Sequence, residues 1–393
     1  MASEGLEPLP KHHSLVRGGY SFHFARRIGL EPATMPKRLA KIALLVCVTW
    51  VPLVILSMIR GHAWGRAVKE PLFLDPVIYS RFLFVVPLLE LAQVVVEASL
   101  GVQTRQFLRS GLVPEKERPA FLEAQARAIR LRGSTAAEVF IAALAFVISI
   151  CSRVIMSPGP HSSTWERLGG TITPAGWWYV LVSLPILVFF LLRWVWIFCL
   201  WAWFLFRVSR LELELTPTHP DRAGGLGFLG WGQASFSLVV MAVSAVLSGA
   251  VAREIIHRGS SLDSLKYHVM IFLVLVIVVV HAPLLAFVGK QARCRFDGLL
   301  NFGTLIWRHD LAFDEKWVRV LEHNSETLLG SPDVSSTADI GEVYEHVKRM
   351  QLIAIDKQAV AVLLIAALIP LFPLLGTAMP LTEILSKLAE FMV

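Results

Sequence analysis

Seven long apolar runs constrain this chain more than any motif in it. A bilayer's hydrocarbon core is about 30 Å thick, and a helix needs about 20 apolar residues to cross it. The runs lie at approximately 42–59, 82–102, 136–156, 177–206, 232–252, 269–289 and 358–377. A backbone in hydrocarbon must satisfy its own hydrogen bonds, so each run reads as a helix. Composition agrees: 55% of the 393 residues are hydrophobic and 17% are charged, against about 25% charged in an average soluble domain. The expected fold is an all-α, polytopic membrane bundle of seven transmembrane helices. Seven spans do not divide into two equal halves, which argues against a simple inverted repeat.

The basic residues predict its direction. Residues 1–41 carry Lys11, Arg17, Arg26, Arg27, Lys37, Arg38 and Lys41. The 103–134 and 290–357 connections are similarly rich in Lys and Arg, while 60–81, 157–176 and 253–268 are shorter and poorer in them. The positive-inside rule then places the N-terminus inside and the C-terminus outside, in a plasma (inner) membrane. The net charge of +7 is thereby loop asymmetry, and a nucleic-acid partner is not expected. The first 20 residues have no hydrophobic core after their basic residues, so a cleavable signal is not expected either. The plan is a cytosolic tail (1–41), a bundle of six spans (42–289), a cytosolic helical loop (290–357), a seventh span (358–377) and an amphipathic outer tail (378–393).

The longer connections carry helical patterns of their own. Phe121, Leu122, Ala126, Ile129 and Leu131 fall close to helical spacing. Thr135 with Glu138 reads as a capping box opening the third span. Trp317, Val318, Val320, Leu321 and Leu328 suggest a surface helix within 311–329. Ile340, Val343, Val347 and Met350 suggest another within 339–353. The stretch between them, NSETLLGSPDVSSTAD, reads as turns.

Polar residues inside a span are costly and often functional. In the second span Glu90, Gln93 and Glu97 recur at spacings of three and four, on one helical face. Such carboxylates suit a cation or proton path. Arg193, in the fourth span, lies about as deep as Glu97, roughly 22 Å from the outer end, so it either pairs with Glu97 or snorkels to the interface. His281, followed by Pro283, is a further candidate lining residue of that path.

The stretch 218–230, THPDRAGGLGFLG, contains G-x-G-x-x-G. A dinucleotide site needs a strand immediately before it, a soluble helix after it and an acidic residue about 20 positions on. Here nine residues separate LELEL from the first glycine of the fingerprint, and a membrane span follows. The glycines read instead as a tight turn with close helix packing. His219, Asp221 and Arg222, with Gly225 and Gly227, are candidate ligand or hinge residues beside a helix start, where free N–H groups attract anions. The four cysteines form no Cys-x-x-Cys pair, and no catalytic set, metal set or cofactor motif emerges. Three functions compete on this basis. The first is a channel or transporter for a small cation or proton. The second is a membrane-anchored scaffold or sensor that binds a protein partner at the cytosolic face. The third is a lipid-modifying enzyme using His219, Asp221 and Arg222.

Overall fold

In the computed structural model, residues 34–65, 67–155, 163–259, 262–319 and 331–374 are described. In chain order the main helices are α1 (Met35–Ile59), α2 (Pro76–Arg109), α3 (Arg118–Arg132), α4 (Thr135–Ile155) and α5 (Pro174–Val208). They continue with α6 (Gly227–His257), α7 (Leu262–His281), α8 (Val288–Phe313), α9 (Pro332–Lys348) and α10 (Lys357–Leu374). Seven helices among the described residues are long and apolar enough to cross a membrane: α1, α2, α4, α5, α6, the stretch containing α7, and α10. The only sheet among the described residues is a hairpin of two-residue strands, β1 (Arg167–Leu168) and β2 (Thr171–Ile172), in the α4–α5 connection.

Local capping decides where several helices begin. Asp75 accepts the Val77 N–H at 3.0 Å and Pro76 follows it, so α2 starts six residues before the expected run. With 34 residues α2 is about 51 Å long, well beyond the hydrocarbon core. Thr173 caps α5 through the Gly176 N–H at 3.0 Å. Ser134 rather than Thr135 caps α4, its Oγ accepting the Ala137 N–H at 3.4 Å. The cap thus sits one residue before the expected position, and Glu138 is buried.

The 290–357 connection differs most from expectation. Instead of ending near 289, the sixth span passes through a 3-10 segment, Ala282–Phe287, into α8. Residues 314–319 extend α8 as a π-helical turn; 320–330 lie outside the described residues. Residues 332–339, expected as turns, form the first half of α9. Ser331 accepts the Asp333 N–H at 3.2 Å and Pro332 occupies the first turn, a start signal that outweighs the local turn composition. Lys316 and Trp317 both donate to Asp333, at 2.8 and 2.9 Å, fastening the end of α8 to the start of α9. LELEL forms no strand; its Glu214 N–H donates to the Leu112 carbonyl at 3.0 Å. The expected outer tail, 378–393, and most of the N-terminal tail lie outside the described residues.

The connections gather at two ends of the bundle. At one, Trp165 donates to Asp75 at 3.0 Å and Arg253 to Glu70 at 2.6 Å, joining three successive alternate connections. At the other, the connections after α2, α5 and α7 meet: Lys116 bonds Glu212, and Gln351 N–H donates to the Arg222 carbonyl at 2.7 Å. This second end holds α3, α8 and α9 and most of the basic loop residues, and is called the basic end below. Phe107 lies in its core, with Phe121, Phe228 and Phe287 at ring separations of 5.8, 5.0 and 6.3 Å. Outward faces stay apolar: on α7, Met270, Ile271, Val274, Leu275, Val278 and Val279 are exposed, as lipid-facing positions should be.

Candidate functional site

Glu90 is fully buried and paired. Lys41 Nζ lies 2.7 Å from Glu90 Oε1, with side-chain exposures of 18% and 0%. Arg38, also buried, donates to the Glu90 carbonyl at 3.4 Å. Lys41 is six residues into α1, about 9 Å from its start, just before the apolar run begins. Glu90 thus lies level with the start of the apolar run of α1. The span predicted to begin at 82 begins at Pro76. Gln93, one turn on, is buried as well.

Glu97 belongs to a second group of charges. Arg132 ends α3, and its pKa is pushed down to about 10 by burial first and by Arg193 second, with Glu97 and Glu138 acting in the opposite sense. Arg193 and Glu138 are each only 9% exposed. Two cations and two carboxylates thus share one electrostatic environment where α2, α4, α5 and the end of α3 come together. Arg193 is enclosed by protein rather than exposed on the outer surface of the bundle. Lys41, Arg38, Arg132 and Glu138 are absent from the sequence-derived site. A signal for them exists, since each stands within a turn or two of the basic-end boundary of a span.

Asp221 organises the 218–230 loop. Its carboxylate accepts the N–H groups of Ala223 at 2.8 Å, Gly225 at 3.1 Å and Gly227 at 2.8 Å. His219 Nδ1 lies 2.8 Å from Oδ1. Burial alone raises the Asp221 pKa, but the three backbone donors and His219 outweigh it and hold the carboxyl below its ordinary 3.8. One N–H at the start of α6, that of Gly227, and two in the loop before it are thus taken by the chain's own carboxylate. Arg222 (φ 54°), Gly224 (φ 68°) and Gly225 (φ 97°) make the left-handed turn that aims those donors inward. Gly227 leaves room for Asp221, whose Cβ would lie 2.8 Å from an added Cβ.

The same loop ties the basic end together. The Ala223 carbonyl accepts from Gln291 of α8 at 3.2 Å, and the His219 carbonyl from His346 of α9 at 2.9 Å. Replacing Asp221 by Asn is expected to destabilise the protein by about 2 kcal/mol, because buried donors lose a charged acceptor. A depressed carboxyl pKa stabilises the folded state above the unfolded value, here near 3.8, and that contribution is lost as pH falls through the lower folded value. Thermal unfolding in detergent should therefore show a constant gap between wild type and Asp221→Asn from pH 7 to about 5, closing below about 4.

His281 is buried at the end of α7, its Nδ1 2.9 Å from the Ile277 carbonyl, one helical turn back. That bond fastens it to its own helix. Among the described residues no group of three or more His, Cys, Asp or Glu side chains could hold a metal ion. A cavity of about 840 Å³ opens at the basic end between the end of α5 and the start of α8. Phe296, Leu300, Trp307, Leu311 and Val318 are exposed along α8 and its extension.

Fold and site together define a multi-pass helical membrane protein with a structured basic end built from its long connections. Among known proteins, no family model, no curated protein and no solved structure matches this chain.

Proposed function

We propose that the protein is a membrane-anchored scaffold or sensor, held in the inner membrane with its basic end in the cytosol, and that it works through α8 and α9. The observation that carries this reading is the exposed stripe on α8. Phe296, Leu300, Trp307, Leu311 and Val318 are spaced by four and seven residues, which places them on one helical face. The stripe is about 33 Å long. It lies beyond the 3-10 break that ends α7, and α9 packs on another side of α8, where Arg295 reaches the Lys348 carbonyl at 2.8 Å. Exposed apolar stripes of this size serve as partner surfaces, and a helix with an apolar face is the matching shape. The charge distribution among the loops supports the cytosolic placement.

Transport of a cation or proton is the second reading, supported by the buried run of Glu90 and Gln93 with Glu97 on one face of α2. The Lys41–Glu90 pair counts against it, because a carboxylate held by a neighbouring cation is a fastener before it is a relay. The enzymatic reading weakens for a similar reason, since Asp221 is committed to backbone donors.

The docking role predicts that a photo-crosslinking residue in place of Trp307, in the full chain in its native membrane, yields one discrete protein adduct. Adducts to lipid alone would overturn it. Placement is checked with a single Gly341→Cys in a cysteine-free chain. Position 341 has open space around it, and an impermeant thiol reagent should reach it in inside-out vesicles only.

A further inference from the structure

The cavity at the basic end has a chemistry that the docking role does not use. It is lined by the cations Arg210, Lys290 and Arg293 together with apolar side chains that include Phe206, Leu213 and Phe302. Its volume of about 840 Å³ lies in the range of ligand sites, roughly 300–1,000 Å³. Of the two carboxylates on its wall, Glu212 is bonded to Lys116, outside the lining. Glu212 also acts on Lys290, so three cations stand against Asp297 and a Glu212 already paired with Lys116. The guanidinium carbon of Arg210 lies over the Phe206 ring, 4.7 Å from its centroid.

Position selects the class of ligand. α5 ends at Val208 and the 3-10 segment after α7 ends at Phe287. Residues from 206 to 217 and from 286 to 302 form the cavity's walls. Both walls therefore begin where a span leaves the hydrocarbon, at headgroup level. Basic pockets between spans on that side are suited to anionic headgroups.

We propose that this cavity is a binding site for an anionic phospholipid, with the phosphate held by Lys290, Arg293 and Arg210 and the start of the acyl region lying against Phe206 and Phe302. A free phosphate satisfies the cations but leaves the apolar wall unused. The site stands apart from the partner surface, which occupies a neighbouring face of α8, so either can fail without the other.

Gly289 makes the test clean. It lines the cavity, and a Cβ built on it meets nothing within 4 Å, so Gly289→Trp can fill the space without disturbing the packing behind it. Native mass spectrometry of the full chain in detergent, titrated with phosphatidylglycerol or phosphatidylcholine, reads the binding directly. The expected result is preferential retention of phosphatidylglycerol by the wild type. Lys290→Gln/Arg293→Gln should weaken it by about tenfold or more, and Gly289→Trp should abolish the tight adduct. Unfolding temperatures near that of the wild type establish that both variants are folded. Equal retention of the two lipids, or undiminished phosphatidylglycerol binding by both folded variants, overturns the proposal. Displacement of the lipid by millimolar inorganic phosphate reassigns the cations to a soluble anion and overturns it equally.

Discussion

Lys41→Met is expected to cost about 3 kcal/mol or more of folding stability, whereas Lys41→Met combined with Glu90→Leu should recover most of that loss. Removing one member of a buried pair leaves the other charge without compensation, typically at a cost of about 3–5 kcal/mol, while replacing both with apolar groups is often neutral or better. The geometry here favours a large single-mutant effect, since Glu90 is fully buried and Lys41 is 18% exposed. Arg38 moderates it, because its guanidinium already reaches the Glu90 carbonyl at 3.4 Å. Thermal unfolding of the two single variants and the double variant in detergent closes a double-mutant cycle. Strictly additive losses would show that the pair does not hold α1 to α2.

The same residues separate the scaffold from the transporter. Proteoliposomes carrying wild type or Glu90→Gln/Glu97→Gln, under potassium, sodium and proton gradients, should show no flux that depends on the two carboxylates. Flux in the wild type that disappears in a folded double variant would make the α2 stripe a conduction path and reverse the order of the two readings.

The seven spans were legible because hydrocarbon forces every crossing segment into the same long apolar pattern. Their edges were less so. Asp75 and Pro76 start α2 early, Ser331 and Pro332 turn a loop-like stretch into α9, and a 3-10 segment carries the sixth span on into α8. Each is a local capping or backbone event, and a hydropathy window averages over it. The acidic stripe was visible as a periodicity within α2, and Arg193 as a candidate partner of Glu97 by its depth, but Lys41 and Arg132 were not. Lys41 is 49 positions from Glu90, and Arg132 and Arg193 are brought near Glu97 and Glu138 only by packing. The glycine fingerprint reads as a turn rather than a nucleotide site from its context alone. That the Asp221 carboxylate occupies its donors could not be read from the sequence, because it depends on the left-handed turn at Arg222 and Gly224.

That turn leads to the second large expectation: Gly230→Ala should destabilise the protein by about 3 kcal/mol and loosen the entry into the seventh span. A Cβ at Gly230 would lie 2.3 Å from the Ala354 carbonyl oxygen and 3.0 Å from the Asp356 N–H nitrogen. Both neighbours are backbone, so no rotamer change relieves the clash, and overpacking of this kind costs about 1–3 kcal/mol or more. The displaced residues also start α10, since Asp356 Oδ2 accepts the Ala359 N–H at 2.8 Å. The first turn of α6 thus sets where α10 begins, through a contact that only glycine allows. Gly341 supplies the control. It lies inside α9 with nothing within 4 Å of an added Cβ, so Gly341→Ala should stabilise by up to about 1 kcal/mol through helix propensity alone. Paired unfolding curves in detergent, with limited proteolysis across 350–356, should therefore move in opposite directions. A Gly230→Ala protein as stable and as protease-resistant as wild type would mean that α6 does not hold this segment.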